Sequence, residues 1–300
     1  MKKRLFILVS VLCVCLSFVV SPFWPASAAG TSSYPKNVII FIGDGMGRNQ
    51  VQAAHDYIGK NLNMEDMPYH GTSDTTNANG STTDSAAGGT AIACGIKTLN
   101  DYVGVDTNKD PVENIREFLA KKGKKTGLVS TTNICDATPA AFGAHVESRS
   151  NQLKIAEEFI NNEIDIIMGG GNNNFNDILK NYAKEKKGYT VITKKSELEQ
   201  FKGDTKLLAL FAQSGFPFYR EGYSEDQPTL AEMTAKSIDI LKNHPQGFFL
   251  MVEGAKIDHG GHNNSLDDVI TETLEFDKAI KVAMDFAQNR GDTLIIVTAD

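Results

Sequence analysis

Acidic side chains follow four short apolar segments of this chain, each of which has the composition of a buried strand. Asp44 follows the first segment, Asp136 the second, Glu253 and Asp258 the fifth, and Asp300 the last. In open parallel sheets, the loops at the carboxyl ends of the strands converge on one crevice. Carboxylates that share a crevice repel each other unless cations neutralise them, so the pattern predicts metal binding. For any single Asp, a helix cap or a turn is the alternative.

The segment from Glu253 to His262 has the spacing of metal ligands. Asp258 and His262 can reach one ion if a loop turns through Gly260 and Gly261, which gives the mixed oxygen and nitrogen donors that suit zinc. Glu253 is an oxygen donor and suits a harder ion such as magnesium. A solvated loop is the alternative. The other histidines have no comparable neighbours and are expected to be ordinary surface or core residues: His55, His70, His145 and His244.

A serine and an arginine could handle a phosphoryl group. In Thr83–Ala91, hydroxyl groups precede small residues that could begin a tightly packed helix. The N–H groups and dipole at a helix N-terminus favour an alkoxide or a phosphoryl group, although Asp84 or Ser85 as an ordinary N-cap is an equal alternative. Arg149 is a surface arginine by default, yet its guanidinium is a natural bidentate partner for phosphate.

Alternating apolar runs and helical patterns must position these residues. Runs without polar alternation suit strands buried on both faces, and six are predicted: Val38–Ile42, Gly127–Thr131, Ile164–Met168, Leu207–Phe211, Phe248–Val252 and Leu294–Thr298. We predict helices over Pro111–Lys122 and Leu266–Gln288, and a surface excursion over Asn172–Lys206. The alternation predicts an α/β fold with a mainly parallel central sheet and helices on both faces.

Two glycine-rich segments need separate interpretations. Ile42–Gly47 invites comparison with a dinucleotide-binding loop, but Arg48 stands where that motif requires its last glycine. We interpret its glycines as allowing the backbone to crowd a metal bound by Asp44. Gly169–Gly171 is interpreted as a tight turn after a strand.

The first 28 residues have the pattern of a secretory signal peptide. Lys2, Lys3 and Arg4 precede an apolar run, and Ala26 and Ala28 form a small-x-small cleavage site. The run is shorter than the ~20 apolar residues that span a bilayer. We therefore predict cleavage near Ala28, no stable membrane insertion, and a secreted protein located outside the cell, in the cell envelope or in the periplasm. Residues 29–300 are predicted to form the catalytic domain.

Composition narrows the classes of partner. The full chain is 41% hydrophobic and 22% charged, a globular balance. Without residues 1–28 it has 27 Lys and Arg against 37 Asp and Glu, a net charge of −10 that disfavours nucleic acid as a partner. Cys94 and Cys135 remain, which allow one disulfide at most and lack the spacing of a cysteine zinc site. We expect both to be small core residues.

Taken together, these motifs resemble the alkaline phosphatase family in order and spacing from about Asn37 to the last residue. The segments that carry the resemblance are Ile42–Gly47, Thr83–Ala87, Asp136–Ala140, His145–Arg149, Met168–Gly171, Val252–His262 and Val297–Asp300. The resemblance implies hydrolysis of phosphate monoesters with two zinc ions and one magnesium ion. It also implies small phosphomonoesters and inorganic phosphate as partners, with a homodimer left open.

The resemblance further implies a role for each site residue. Ser85 is similar to the nucleophile that becomes phosphoserine, and Arg149 to the phosphate clamp. The implied ligands are Asp258 and His262 for the first zinc; Asp44, Ser85 and Asp300 for the second zinc; and Asp44, Thr138 and Glu253 for magnesium. Three further residues would support them: Asp136 and His259 through the waters of the third ion, and Asp84 beside the nucleophile.

One departure from the family pattern concerns the zinc ligands. In the family, a histidine follows the acid that matches Asp300, and a later histidine completes the first zinc site. Neither is present, so we expect the chain to be a fragment of a longer enzyme. A related phosphodiesterase or sulfatase, or a phosphate- or metal-binding protein without activity, are the alternatives.

Overall fold

Seven strands form one sheet within the described part of the chain. The computed structural model describes residues 34–203 and 205–300, so the predicted signal peptide lies outside the described residues. The strands are β1 (Asn37–Gly43), β2 (Lys125–Asn133), β3 (Ile166–Gly170), β4 (Tyr189–Ile192), β5 (Lys206–Leu210), β6 (Phe248–Gly254) and β7 (Thr293–Ala299). Their spatial order is β4-β5-β3-β2-β6-β1-β7, and every pairing is parallel.

Helices connect the strands and cover the sheet. In the described residues they are α1 (Arg48–Ile58), α2 (Ser85–Cys94), α3 (Ile115–Lys121), α4 (Ala137–Ala141), α5 (Gln152–Asn161), α6 (Asp177–Lys187), α7 (Lys195–Gln200), α8 (Leu230–Leu241), α9 (Lys256–His262) and α10 (Leu266–Ala287). No helix in residues 34–203 and 205–300 is long and apolar enough to cross a membrane.

The hydrophobic core lies on both faces of the sheet. Successive side chains of a strand point to opposite faces. On β1, Ile39 and Phe41 therefore join the core beneath α8 and α10, whereas Ile40 and Ile42 join the core beneath α2, α4 and α5. This two-sided burial explains why the strands appear in the sequence as continuous apolar runs rather than as alternating ones.

The predicted fold class is confirmed, and each of the six predicted strands overlaps an observed one. Helix α10 also spans nearly the predicted range. Its predicted apolar face is wrong at Leu266, whose residue surface is 62% exposed in the first turn. Cys94 and Cys135 are both free, and Cys135 is fully buried.

Three local predictions are wrong. The stretch Asn172–Lys206 is not a surface excursion: it holds α6, α7 and the edge strand β4, which has only four residues and lies in a Lys-rich stretch. Helix α3 begins after the N-cap Asn114, because Pro111 pairs with Val105 in a β-bridge instead of opening the helix. The Gly169–Gly171 segment is mainly strand, and only Gly171 has a positive φ.

Candidate active site

The strand-end residues of four neighbouring strands meet at one edge of the sheet. Asp44 directly follows β1, Asp300 directly follows β7, Glu253 lies near the end of β6, and Asp136 follows β2 by three residues. Because β2, β6, β1 and β7 are adjacent and parallel, all four acids lie at their carboxyl ends. The sheet therefore brings together residues that are up to 256 positions apart in the chain.

Ser85 is the first residue of α2 and faces the end of β1. Its hydroxyl donates a hydrogen bond to Asp44 Oδ1 at 3.0 Å. Asp84 is the N-cap of the helix and accepts a hydrogen bond from the Ala87 N–H at 2.9 Å. The capping interpretation therefore holds for Asp84, while Ser85 remains free to point its hydroxyl into the site.

Small residues allow α2 to approach the site closely. A Cβ atom added at Gly88 would lie 3.1 Å from the Cβ of Asp300, and one added at Gly89 would lie 3.3 Å from the Cβ of Ala141. Larger residues at these two positions would push the helix away from Asp300 and α4. The run of small residues in the sequence thus serves the placement of Ser85.

The strand-end acids are defined as Asp44, Glu253 and Asp300; the first two are buried and Asp300 is half-buried. Burial raises the pKa of Asp44 well above its usual range, and the charges of Asp300, Glu253 and Asp258 raise it further. Burial also raises the pKa of Glu253 to about 8, and that of Asp300 in the same direction. In this arrangement, the ionised cluster needs positive charge.

Hydroxyl and backbone donors contact the same cluster. Ser130 donates to Glu253 Oε2 at 2.5 Å, and Thr138 donates to Asp300 Oδ2 at 3.5 Å. The Gly45 N–H donates to Asp300 Oδ1 at 3.0 Å. Uncharged donors of this kind orient the carboxylates, but they do not remove the net negative charge.

Gly45 sets how closely Asp258 approaches β1. Its φ is +58°, and an added Cβ would lie 2.6 Å from Asp258 Oδ1. A side chain there would therefore both strain the backbone and displace the Asp258 carboxylate. The glycines of Ile42–Gly47 accordingly make room for an acidic side chain, which is more specific than the general crowding expected from the sequence.

Asp258 and His262 lie on one face of a helix. The segment was predicted to be a loop turning through Gly260 and Gly261, but it forms α9, so that prediction is wrong. The four-residue spacing brings His262 Nε2 to 3.3 Å from Asp258 Oδ2. Both predicted ligands are therefore adjacent, and His262 remains largely exposed.

Arg149 bridges two acids beside the nucleophile. Its Nη1 lies 3.4 Å from Asp84 Oδ2, and its Nη2 lies 3.1 Å from Asp136 Oδ1. The side chain is 32% exposed. A guanidinium group has five N–H donors, so Arg149 retains donors for an anion while these two contacts fix its plane.

Asp136 and His259 each contact a cationic side chain beside the strand-end acids. Asp136 caps α4 and binds Arg149. His259 Nδ1 accepts a hydrogen bond from Lys256 Nζ at 3.2 Å. Burial lowers the pKa of His259, and the positive charge of Lys256 lowers it further. The Lys256 ammonium also lies 4.2 Å from the centre of the Phe218 ring.

The site residues have the donor atoms that metal ions prefer, but they are not arranged as a complete metal site. Carboxylate and hydroxyl oxygens dominate the cluster, and one imidazole lies at its side, which are donors for magnesium and zinc. Within residues 34–203 and 205–300, however, no three His, Cys, Asp or Glu side chains are grouped so as to hold one ion. The charge of the cluster fits divalent cations, whereas a complete ligand shell for any one of them is not assembled by these side chains.

Several contributors were not anticipated from the sequence. Ser130, Lys256 and the Gly45 N–H each contact a site residue, and only Gly45 lay in a segment that had drawn attention. Ser130 and Lys256 could have been found from the sequence, because a serine inside a buried apolar strand and a lysine just after one are unusual. His145, expected to be an ordinary histidine, bonds Glu117 Oε1 at 3.0 Å in the segment that carries Arg149.

Comparison with known proteins decides the family. A sequence model described as "Alkaline phosphatase" matches residues 35–300. The chain belongs to the alkaline phosphatase family. Alkaline phosphatase 4 of Bacillus subtilis is 40% identical over 286 residues, which cover 88% of this chain and 61% of that protein. The alkaline phosphatase of Escherichia coli is 33% identical over 328 residues, covering 88% of this chain and 69% of that protein.

Solved structures of alkaline phosphatases share the fold. The enzyme from the Antarctic bacterium TAB5 has a TM-score of 0.83 and 34% identity, over 89% of this chain and 79% of that one. A variant of that enzyme, solved with Mg bound in its M3 site, has a TM-score of 0.80. The chain spans about three fifths of the length of the Bacillus subtilis alkaline phosphatases that it matches.

Proposed function

We propose that the protein hydrolyses phosphate monoesters through a phosphoserine at Ser85. The observation that carries this proposal is the Ser85 hydroxyl, which lies at the N-terminus of α2 within hydrogen-bond distance of Asp44 and next to the Asp84 that contacts Arg149. A nucleophile, a cationic clamp and the strand-end acids thus lie at one sheet edge. Family membership supports the same reaction class.

Arg149, Ser85 and Asp44 each have a defined part in the reaction. Arg149 donates N–H groups to the phosphoryl oxygens and holds the phosphorus in line with Ser85 Oγ. Ser85 Oγ forms a bond to phosphorus while the bond from phosphorus to the ester oxygen breaks, and the alcohol leaves. The Ser85 proton, which starts in the hydrogen bond to Asp44 Oδ1, leaves Oγ as the new bond forms, and a proton ends on the departing ester oxygen so that it leaves as the alcohol. Water then attacks the phosphoserine, which releases inorganic phosphate and restores the hydroxyl.

The proposed cofactors are two zinc ions and one magnesium ion. Asp258 and His262 would hold the first zinc; Asp44, Ser85 and Asp300 the second; and Asp44, Thr138 and Glu253 the magnesium, with Asp136 and His259 binding its waters. When bound, divalent ions supply Lewis acidity that lowers the pKa of a hydroxyl and neutralises phosphoryl charge. The mutual repulsion of the strand-end acids supports this assignment.

We also propose that the protein is secreted after cleavage near Ala28, because the sequence begins with a basic, then apolar, then small-residue pattern. Small phosphomonoesters and inorganic phosphate are the proposed partners. The net charge of −10 without residues 1–28 argues against nucleic acid as a specific partner.

Replacement of Ser85 tests the mechanism. Ser85→Ala should abolish the labelled phosphoenzyme and lower phosphomonoester turnover by at least about 1,000-fold, because the attacking atom is removed. Its zinc and magnesium content should stay near that of the parent. Ser81→Ala is the matched control, because Ser81 is an exposed serine four residues earlier that contacts Asn77 only through its backbone. Label on another residue would contradict the assignment, and faster turnover of diesters or sulfate esters would reassign the substrate.

A further inference from the structure

Asp101 has an unusual backbone conformation beside the candidate site. It lies in the connection between α2 and α3, its side chain is exposed, and its φ is +76°. Residues with a side chain seldom adopt a positive φ, and glycine adopts it without cost. Asp and Asn tolerate it better than most residues because of their short polar side chains. An Asp at this position therefore indicates that its side chain makes a contact that glycine could not make.

The contact is with the backbone of Arg149. The Arg149 N–H donates to the Asp101 carbonyl oxygen at 2.9 Å and to Asp101 Oδ1 at 3.2 Å. Val103 and Val146 pair as an antiparallel bridge through two hydrogen bonds of 3.0 and 2.9 Å. The bridge holds the two segments side by side, and Asp101 extends their pairing as far as Arg149.

The same residue also reaches the nucleophile's neighbour. The Asp101 N–H donates to Asp84 Oδ2 at 2.9 Å, and Arg149 Nη1 contacts that same oxygen at 3.4 Å. Asp84, Asp101 and Arg149 thus form a closed ring of hydrogen bonds. The ring therefore connects Asp84, the residue before Ser85, to Arg149, the proposed phosphate clamp.

We propose that Asp101 is a positioning residue that fixes the Arg149 guanidinium relative to Ser85 through this ring. The inference rests on the proposed function of Arg149 as a phosphate clamp. Asp101 acts through Arg149, and its Oδ1 atom is the part that a glycine would lack. Its negative charge has the opposite influence, because an acid near the site repels an anion. Loss of the side chain should therefore weaken phosphate binding only if positioning outweighs this repulsion.

Two substitutions separate the acceptor atom from the backbone conformation. Asp101→Gly keeps the positive φ without strain but removes Oδ1, and Asp101→Asn keeps an acceptor at that position. We expect Asp101→Gly to weaken inorganic phosphate binding about threefold to tenfold, the effect of one hydrogen bond. Asp101→Asn should weaken phosphate binding by less than half as much as Asp101→Gly does. Phosphate binding is measured by equilibrium dialysis with labelled phosphate and by inhibition of turnover.

Asn289→Gly is the control for a glycine at a positive φ. Asn289 has a φ of +62° and lies just before β7, at the opposite edge of the sheet. Asn289→Gly should leave phosphate binding unchanged. The thermal midpoint of this variant should match that of Asp101→Gly. In an Arg149→Ala background, Asp101→Gly should change phosphate binding less than twofold, because the group that it positions is gone.

Three results would overturn the inference: phosphate binding unchanged in Asp101→Gly, equal losses in the Gly and Asn variants, or a full additional loss in the Arg149→Ala background. An unmodified protein without turnover or phosphate binding would refute the proposed function instead. The positioning contact is then judged by amide hydrogen exchange at Arg149. Exchange at least threefold faster in Asp101→Gly than in Asp101→Asn supports the contact, and equal rates overturn it.

Discussion

Two groups of acids differ in the charges that surround them. The strand-end acids face one another at the sheet edge. The α10 acids, defined as Asp268, Glu272, Glu275 and Asp277, lie along one helix, and two of them pair with cationic side chains. Asp268 binds Arg220 Nε at 2.9 Å, and Glu275 binds Lys278 Nζ at 2.5 Å.

The other two α10 acids bind backbone N–H groups. Asp277 accepts hydrogen bonds from the Asn63 and Met64 N–H groups, both at 3.0 Å, and Glu272 accepts one from the Tyr219 N–H at 2.7 Å. Asp44 and Glu253 are about as buried as the α10 acids, whereas Asp300 is half-buried. Burial alone therefore does not distinguish the proposed metal ligands from other acids. No salt bridge joins a strand-end acid to a Lys or Arg side chain within residues 34–203 and 205–300, whereas Arg220, Lys278 and Lys256 offset part of the charge on the α10 acids.

Removal of divalent ions should separate the two groups most strongly. Dialysis against a chelator is expected to lower phosphomonoester turnover at least about 100-fold and to lower the thermal midpoint, because an ion at 100 times its Kd contributes about 2.7 kcal/mol to stability. Zinc and magnesium together should restore both. Activity is measured with a chromogenic monoester, and stability by calorimetry.

Matched variants assign the effect to one group. The turnover and thermal midpoint of Glu253→Gln should change little on chelation, since the substitution removes both a proposed ligand and a source of repulsion. Glu275→Gln should respond like the parent, because Glu275 lies on α10 and binds Lys278. Equal responses from the two variants would show that the strand-end acids do not hold the ions.

The fold was predictable because its information is local. Five of the seven strands are buried on both faces, and β7 is an apolar run whose Leu294 and Ile296 are exposed on one face. Helix α10 has a long amphipathic repeat. Strand β4 escaped because it is a four-residue edge strand within a Lys-rich stretch. Helix α3 was placed too early because Pro111, a good first-turn residue, is used in a bridge to Val105.

The site was predictable in its residues but less so in its connections. Acids after parallel strands must meet at one edge, so Asp44, Glu253 and Asp300 could be grouped from the sequence. The link from Asp101 to Arg149 depends on a two-residue bridge between irregular segments. Such pairing has no periodic pattern, and it forms only when the chain folds.

The two arginines provide the next test of the comparison. Arg149→Ala should weaken phosphate inhibition about 10- to 100-fold, the effect of a charge-assisted clamp worth about 1.5–3 kcal/mol. Arg220→Ala should leave phosphate inhibition unchanged and lower the thermal midpoint by a few degrees, since buried Asp268 loses its ion pair. Inhibition constants and calorimetry measure the two effects. If Arg220→Ala altered the phosphate inhibition constant, the proposed separation of the α10 acids from the phosphate site would be wrong.

The smallest expected effect concerns the pH dependence of stability. Burial raises the pKa of Glu272 from 4.5 to about 7. Between these two values the folded protein holds a proton that the unfolded chain has released, so the free energy of unfolding falls as pH rises from about 5 to 7, by at most about 1.4 kcal/mol per pH unit. Glu272→Gln keeps an acceptor for the Tyr219 N–H and should flatten this slope, as measured by urea unfolding of chelated protein. Glu275→Gln serves as the control, because Glu275 has Lys278 as its partner. An unchanged slope in Glu272→Gln would mean that Glu272 is ionised in the folded protein at neutral pH, and that the α10 acids carry an unbalanced charge after all.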